Sequence, residues 1–168
     1  MSIRPVNNNE SDIVILGLGN TLLMDEGVGV FVANKLKDTY NFNPQIEIID
    51  GGTFGLDLLP YIENKEKVLI IDAVNFGRQS GYIGVLKNDE IVVQINTKMS
   101  VHHIGLSDII SATKLRDTEP NEMVMVGIQP KSLDTGMELT TEIRNKIDDI
   151  IKIILTQLDK WNIEHTHK

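Results

Sequence analysis

Residues 12–36 read Asp12-Ile13-Val14-Ile15-Leu16-Gly17-Leu18-Gly19-Asn20-Thr21-Leu22-Leu23-Met24-Asp25-Glu26-Gly27-Val28-Gly29-Val30-Phe31-Val32-Ala33-Asn34-Lys35-Leu36. The apolar, β-branched run Asp12 to Leu16 stops at Gly17 and predicts a buried strand. After Glu26, apolar residues recur at Val28, Phe31, Val32 and Leu36. Those spacings of three and four describe one face of a helix. A buried strand that turns through glycines into a helix is the first half of a parallel β-α-β unit.

Working outward, the same alternation repeats. Ile46 to Ile49 predicts a second strand, closed by Asp50-Gly51-Gly52. Leu56, Leu59 and Ile62 give a short helix, and Val68 to Ile71 a third strand that ends at Asp72. Strands that are apolar throughout argue for a parallel sheet covered on both faces. Further on, Tyr82 to Leu86 and Ile91 to Ile95 read as two extended pieces around Lys87-Asn88-Asp89-Glu90, a short antiparallel excursion or edge strand. Leu106, Ile109, Ile110 and Thr113 mark a helix, and Met123 to Val126 a buried strand closed by Gly127. The strongest helical stripe runs Ile143, Ile147, Ile150, Ile151, Ile154, Leu155, Leu158, with Thr140 as its expected cap and Glu142 in its first turn. No repeat or linker divides the chain. The expectation is one α/β domain over residues 1–168: a three-layer fold with a twisted, mostly parallel sheet and helices on both faces. Its core spans about 12–158, with polar tails at 1–11 and 159–168. Strand order stays open.

Composition narrows the chemistry. The 168 residues fit a single domain able to hold a core without disulfides or a structural metal. With no cysteine, the chain has no thiolate metal site, no Cys-ligated iron–sulfur cluster and no Cys nucleophile. A net charge of −8 argues against unaided binding to nucleic acid or to anionic membranes. No secretory-type apolar segment opens the sequence, and no run approaches the ~18 apolar residues of a membrane span. Cytoplasm is the expected location. His165 and His167 near the end could hold a stray metal, but an unstructured tail is the expectation there.

In open α/β sheets, ligands sit beyond the carboxyl ends of the strands. This sequence places Asp25-Glu26 after the first strand, Asp50 after the second, Asp72 at the end of the third, and Ser100-Val101-His102-His103 ahead of a helix. Gly17-Leu18-Gly19 is not a dinucleotide fingerprint, since Leu22 stands where the third glycine belongs. It is not a phosphate-binding P-loop either, since no Gly-Lys-Ser/Thr follows. Asp25 and Glu26 are suited to a helix start, and Asp50 to a turn. Asp72 differs, because a carboxylate that closes the apolar run Val68-Leu69-Ile70-Ile71 needs a partner or a task. Two carboxylates and one imidazole from His102 or His103 would suit Zn, Ni or Mn. No His-Glu-x-x-His zinc-protease helix is present, and with no Gly-x-Ser-x-Gly elbow a serine-hydrolase triad would rest on Ser100 near His102 alone.

Together these blocks resemble the nickel–iron hydrogenase maturation endopeptidases, which trim a C-terminal extension from the hydrogenase large-subunit precursor. The blocks are Gly17-Leu18-Gly19-Asn20 with Leu23-Met24-Asp25-Glu26-Gly27-Val28-Gly29, Asp50-Gly51-Gly52-Thr53, Ile70-Ile71-Asp72-Ala73, Ser100-Val101-His102-His103-Ile104-Gly105-Leu106 and Val126-Gly127-Ile128-Gln129-Pro130. The resemblance covers about residues 12–158. It implies Glu26, Asp72 and His102 as metal contacts, His102 being the third residue of the Ser-x-His-x-x-Gly block. It implies Asp50 and Asp72 as the residues of processing. It also implies nickel as the metal, delivered by the precursor, with another divalent cation conceivable in the free protein. A monomer that binds neither nucleic acid nor membrane is expected. Val101 departs from the proline that many members carry. Thr21 departs from the Gly-Leu-Gly-Asn-Pro of peptidyl-tRNA hydrolases, and the acidic charge also disfavours a tRNA substrate. A non-cutting nickel-sensing or docking module for the same precursor is the alternative reading, and a hydrolase of another amide or ester is a weaker third.

Overall fold

The computed structural model describes residues 11–97 and 101–168, apart from the side chains of Thr97 and residues 101–104. Five strands form the central sheet: β1 (Ile13–Leu18), β3 (Glu47–Gly52), β4 (Lys67–Ala73), β5 (Ile83–Lys87) and β6 (Glu122–Ile128). Their order is β3-β1-β4-β6-β5. β1, β3, β4 and β6 run parallel, and β5 closes one edge antiparallel to β6. The predicted fold class therefore holds, including the antiparallel edge.

Helices cover both faces. α1 (Val28–Thr39) and α6 (Ile147–Lys160) lie on one side, while α2 (Leu59–Ile62), α3 (Asp89–Thr97) and α4 (Val101–Leu115) lie on the other. Strand alternation splits the core accordingly. Ile15, Leu69, Ile71 and Val126 join Val32, Leu36, Ile150 and Ile154. Val14, Leu16, Val68 and Ile70 join Ile62, Ile91, Leu106 and Ile109. Phe31, predicted on the buried face of α1, is largely exposed, and Val28, Val32 and Leu36 carry that face.

Four local expectations change. Ile91 to Ile95 lies within α3, where Ile91 and Ile95 are buried four residues apart and Val93 faces out. The acids Asp89 and Glu90 occupy its first turn, where they suit the helix dipole. The Ile143–Leu158 stripe is not one helix: α5 (Thr141–Arg144) breaks at Asn145-Lys146 before α6 begins. Thr140 stands at the N-cap of α5 but makes no side-chain cap hydrogen bond. Finally, 159–168 is no loose tail. β7 (Glu164–His167) pairs antiparallel with β2 (Tyr40–Asn43), and Tyr40 packs against both His165 and His167. Residues 1–10 and Ser100 lie outside the described residues.

Candidate active site

The carboxyl edge of the parallel strands is assembled by close backbone approach. Gly19 donates its N–H to the Gly52 carbonyl at 3.0 Å, tying the turn after β1 to the end of β3. Gly19 has φ +127, and a Cβ there would lie 1.8 Å from the Glu26 carbonyl oxygen. The Gly-x-Gly turn therefore exists so that the Glu26 turn can pack onto it. Gly29 plays a similar part at the start of α1, where a Cβ would lie 2.1 Å from the Ile71 carbonyl. Helix α1 thus presses on the end of β4, one residue before Asp72.

Glu26 sits in a short 3-10 turn, Met24–Gly27, that leads into α1 and packs against β4. It is 8 % exposed, and Asp72 is 0 % exposed. Neither lacks an interaction partner. Asp72 pairs in register with Gly127. Strand alternation puts it with Val68 and Ile70, on the face that α4 covers. Asp50 pairs in register with Gly17, at the same edge, but stands exposed at the end of β3. The structure therefore brings Glu26 and Asp72 into the protein and leaves Asp50 on the rim.

His102 and His103 lie in the first turn of α4, and their side chains are outside the described residues. What fixes that turn is visible. Gly105 approaches Gly55 so closely that a Cβ at Gly105 would sit 3.2 Å from the Gly55 Cα. Gly55 begins the 3-10 turn Gly55–Leu58 that follows β3. The helix carrying His102 is thus laid directly on the loop that follows Asp50. Among the described residues no three His, Asp or Glu side chains form a group able to hold a metal. The donor chemistry of two buried carboxylates, with an imidazole-bearing turn docked at the same edge, suits a borderline divalent ion.

Sequence reasoning missed the role of Asp25. Its carboxylate is 0 % exposed. Oδ2 accepts from the Lys131 and Ser132 N–H groups, both at 3.0 Å. Oδ1 accepts the Thr140 N–H at 2.7 Å, and the Thr140 hydroxyl donates to the same carboxylate. The hydroxyl expected to cap α5 is therefore spent on Asp25. Separations of 106 to 115 residues leave no local signal for this cluster.

The match to known proteins follows this geometry. A family model described as HycI, hydrogenase maturation protease, matches residues 30–157. The chain belongs to the hydrogenase maturation protease family. It is 35 % identical over 156 residues to the hydrogenase expression/formation protein HupD of Rhodobacter capsulatus, covering 92 % of this chain and 74 % of that one. It is 32 % identical over 153 residues to the hydrogenase 2 maturation protease of Escherichia coli, covering 90 % and 93 %. The solved hydrogenase maturating endopeptidase HybD from Escherichia coli superposes with a TM-score of 0.89 at 32 % identity, over 93 % of this chain and 97 % of that one. The chain is thus a protease, which sets aside the non-cutting docking module. The family model starts after Glu26, whereas these relatives span most of the chain. No helix among the described residues is long and apolar enough to cross a membrane.

Proposed function

We propose that this protease removes the C-terminal extension from the large-subunit precursor of a nickel–iron hydrogenase after nickel has been inserted. Glu26, Asp72 and His102 meet the nickel that the precursor carries. The burial of Glu26 and Asp72 at one sheet edge is the observation that carries this reading. Burial keeps water from screening the two carboxylates, so their attraction to a cation brought to that edge is stronger than at an exposed surface. Nickel on the precursor supplies Lewis-acid character next to the scissile peptide. The chain's own residues do the rest. Glu26 and Asp72 supply negative charge from positions fixed by packing. Asp50, exposed on the rim, takes the proton of the attacking water and returns it to the departing amine as the C–N bond breaks. The relatives named for hydrogenase maturation support the choice of precursor. A cytoplasmic monomer is part of this reading; among the described residues no helix is long and apolar enough to cross a membrane.

The test is incubation with nickel-loaded precursor, read by intact mass. A shortened large subunit and a released peptide are expected. An unchanged mass with the correct, loaded precursor sinks the reading. Within it, His102→Ala should stop cutting while His103→Ala cuts at a near-normal rate. The reverse pattern would shift the metal contact to His103.

A further inference from the structure

Asp25 is a buried charge that the proposed chemistry does not use. We infer that Asp25 is a positioning residue: it clamps segment 131–140 onto the turn that carries Glu26 and so fixes where Glu26 stands. The inference rests on the assignment of Glu26 above.

Segment 131–140 has almost no apolar anchor. Residues 131–138 are exposed or half-exposed, and only Leu139 is buried. Its attachment is polar. The Asp25 carboxylate gathers the N–H groups of Lys131, Ser132 and Thr140 and the Thr140 hydroxyl. Around that centre the two backbones are stitched together. Met24 donates to the Gly136 carbonyl at 2.8 Å, Gly136 to Leu22 at 2.9 Å and Asp25 to Ser132 at 3.2 Å.

The turn beneath needs that support. Met24 adopts φ 45, a left-handed conformation that side chains other than glycine rarely take. Leu23, at its N-cap, offers no side-chain cap. Glu26 is therefore gripped from two directions. Gly19 lies under its carbonyl, and the neighbouring Asp25 holds the strap above. A charge suits this task, because a carboxylate can accept all four donors, whereas an amide oxygen cannot. Nothing here requires Asp25 to touch substrate.

The experiment compares Thr140→Val, Thr140→Ser and Asp25→Asn, all assayed with loaded precursor well below each variant's Tm. Thr140→Val deletes one donor to Asp25 at nearly constant shape. Misplacing a reacting group by about an ångström costs up to roughly a hundredfold in rate. Thr140→Val and Asp25→Asn should therefore lower kcat/KM roughly ten- to a hundredfold, and Thr140→Ser should restore it. Hydrogen–deuterium exchange should show faster exchange at the Glu26, Gly27 and Val28 amides in Thr140→Val and wild-type protection in Thr140→Ser. A wild-type kcat/KM for Thr140→Val, or a deficit that vanishes in a colder assay, overturns the inference. So does unchanged exchange at 26–28, a result that needs no substrate. If the wild-type protein leaves the precursor intact, the proposed function falls, while the exchange data still decide whether Asp25 clamps the Glu26 turn.

Discussion

Helix α6 and the strap at 131–140 are near neighbours in sequence, yet they are held by opposite means. α6 lays Ile147, Ile150, Ile151, Ile154 and Leu158 against the sheet. Its stability is spread over many small contacts, none of them directional. The strap depends on one carboxylate and a few backbone hydrogen bonds. Apolar packing degrades by degrees when one member is lost, whereas a hydrogen-bond hub fails locally when its centre is removed. The hub lies at the edge where chemistry is proposed, where an exact position matters more than total stability.

The largest expected effect tests the α6 side. Ile154→Ala leaves a hole in a fully buried layer and should cost about 2–5 kcal/mol of stability. Thermal or urea unfolding would show it as one cooperative shift, with cleavage retained in the cold. A broad, multi-step transition would mean that α6 is not part of the common core.

Asp25→Ala should cost about 1–3 kcal/mol, because buried N–H groups at 131, 132 and 140 lose their acceptor. Limited proteolysis should then cut within 133–138 before the rest of the domain yields. Nicking elsewhere, with 133–138 intact, would show that the strap holds by other means.

Glu26→Gln, at the turn leading into α1, should lose about 1 kcal/mol, from the helix dipole together with the interactions that the buried carboxylate makes. Asp72→Asn should likewise melt near the wild-type temperature, yet both should abolish precursor cleavage in the intact-mass assay. If either variant unfolds outright, that acid is structural and the metal contact loses its main support.

The smallest effect lies on the surface that joins α1 to α6. Lys35 meets Asp148 at 3.2 Å, with both side chains well exposed. Lys35→Ala should change stability by about 0–1 kcal/mol and leave cleavage alone. A larger loss would mean that the two helices rely on charge as well as burial.

The same contrast governs what was legible in the sequence. β1, β3, β4, β6 and most of α6 announce themselves, because a buried strand or helix face needs a periodic apolar pattern and nothing else. The blocks around Glu26, Asp50, Asp72 and His102 single them out as candidates, and the edge to which the structure brings the three acids follows from the sheet. The misreadings fall where pattern and context diverge. Ile91 to Ile95 is β-branched enough to suggest a strand, yet burial at Ile91 and Ile95, four apart, belongs to a helix. Ile143 and Ile147 keep helical spacing across the break at Asn145-Lys146, so the stripe hides it. β2 and β7 are four residues each, too short for a pattern to show, and they hold each other by pairing while Tyr40 and Phe42 pack against the core. Asp25 escaped because its partners lie more than a hundred residues away.

Gly105 has a wider bearing. Because no side chain separates it from Gly55, the two backbones act as a gauge that sets how high α4 rides above the loop after β3. Even one methyl group at 105 would act as a wedge and lift the helix by tenths of an ångström. The block Ser-x-His-x-x-Gly thus pairs the chemical part proposed for its third position with a dimensional one at its sixth. A chain that kept the histidine but filled the glycine would hold the proposed donor on a helix at a different height. The two positions should therefore be judged together when distant sequences are sorted into those that cut and those that only share the fold.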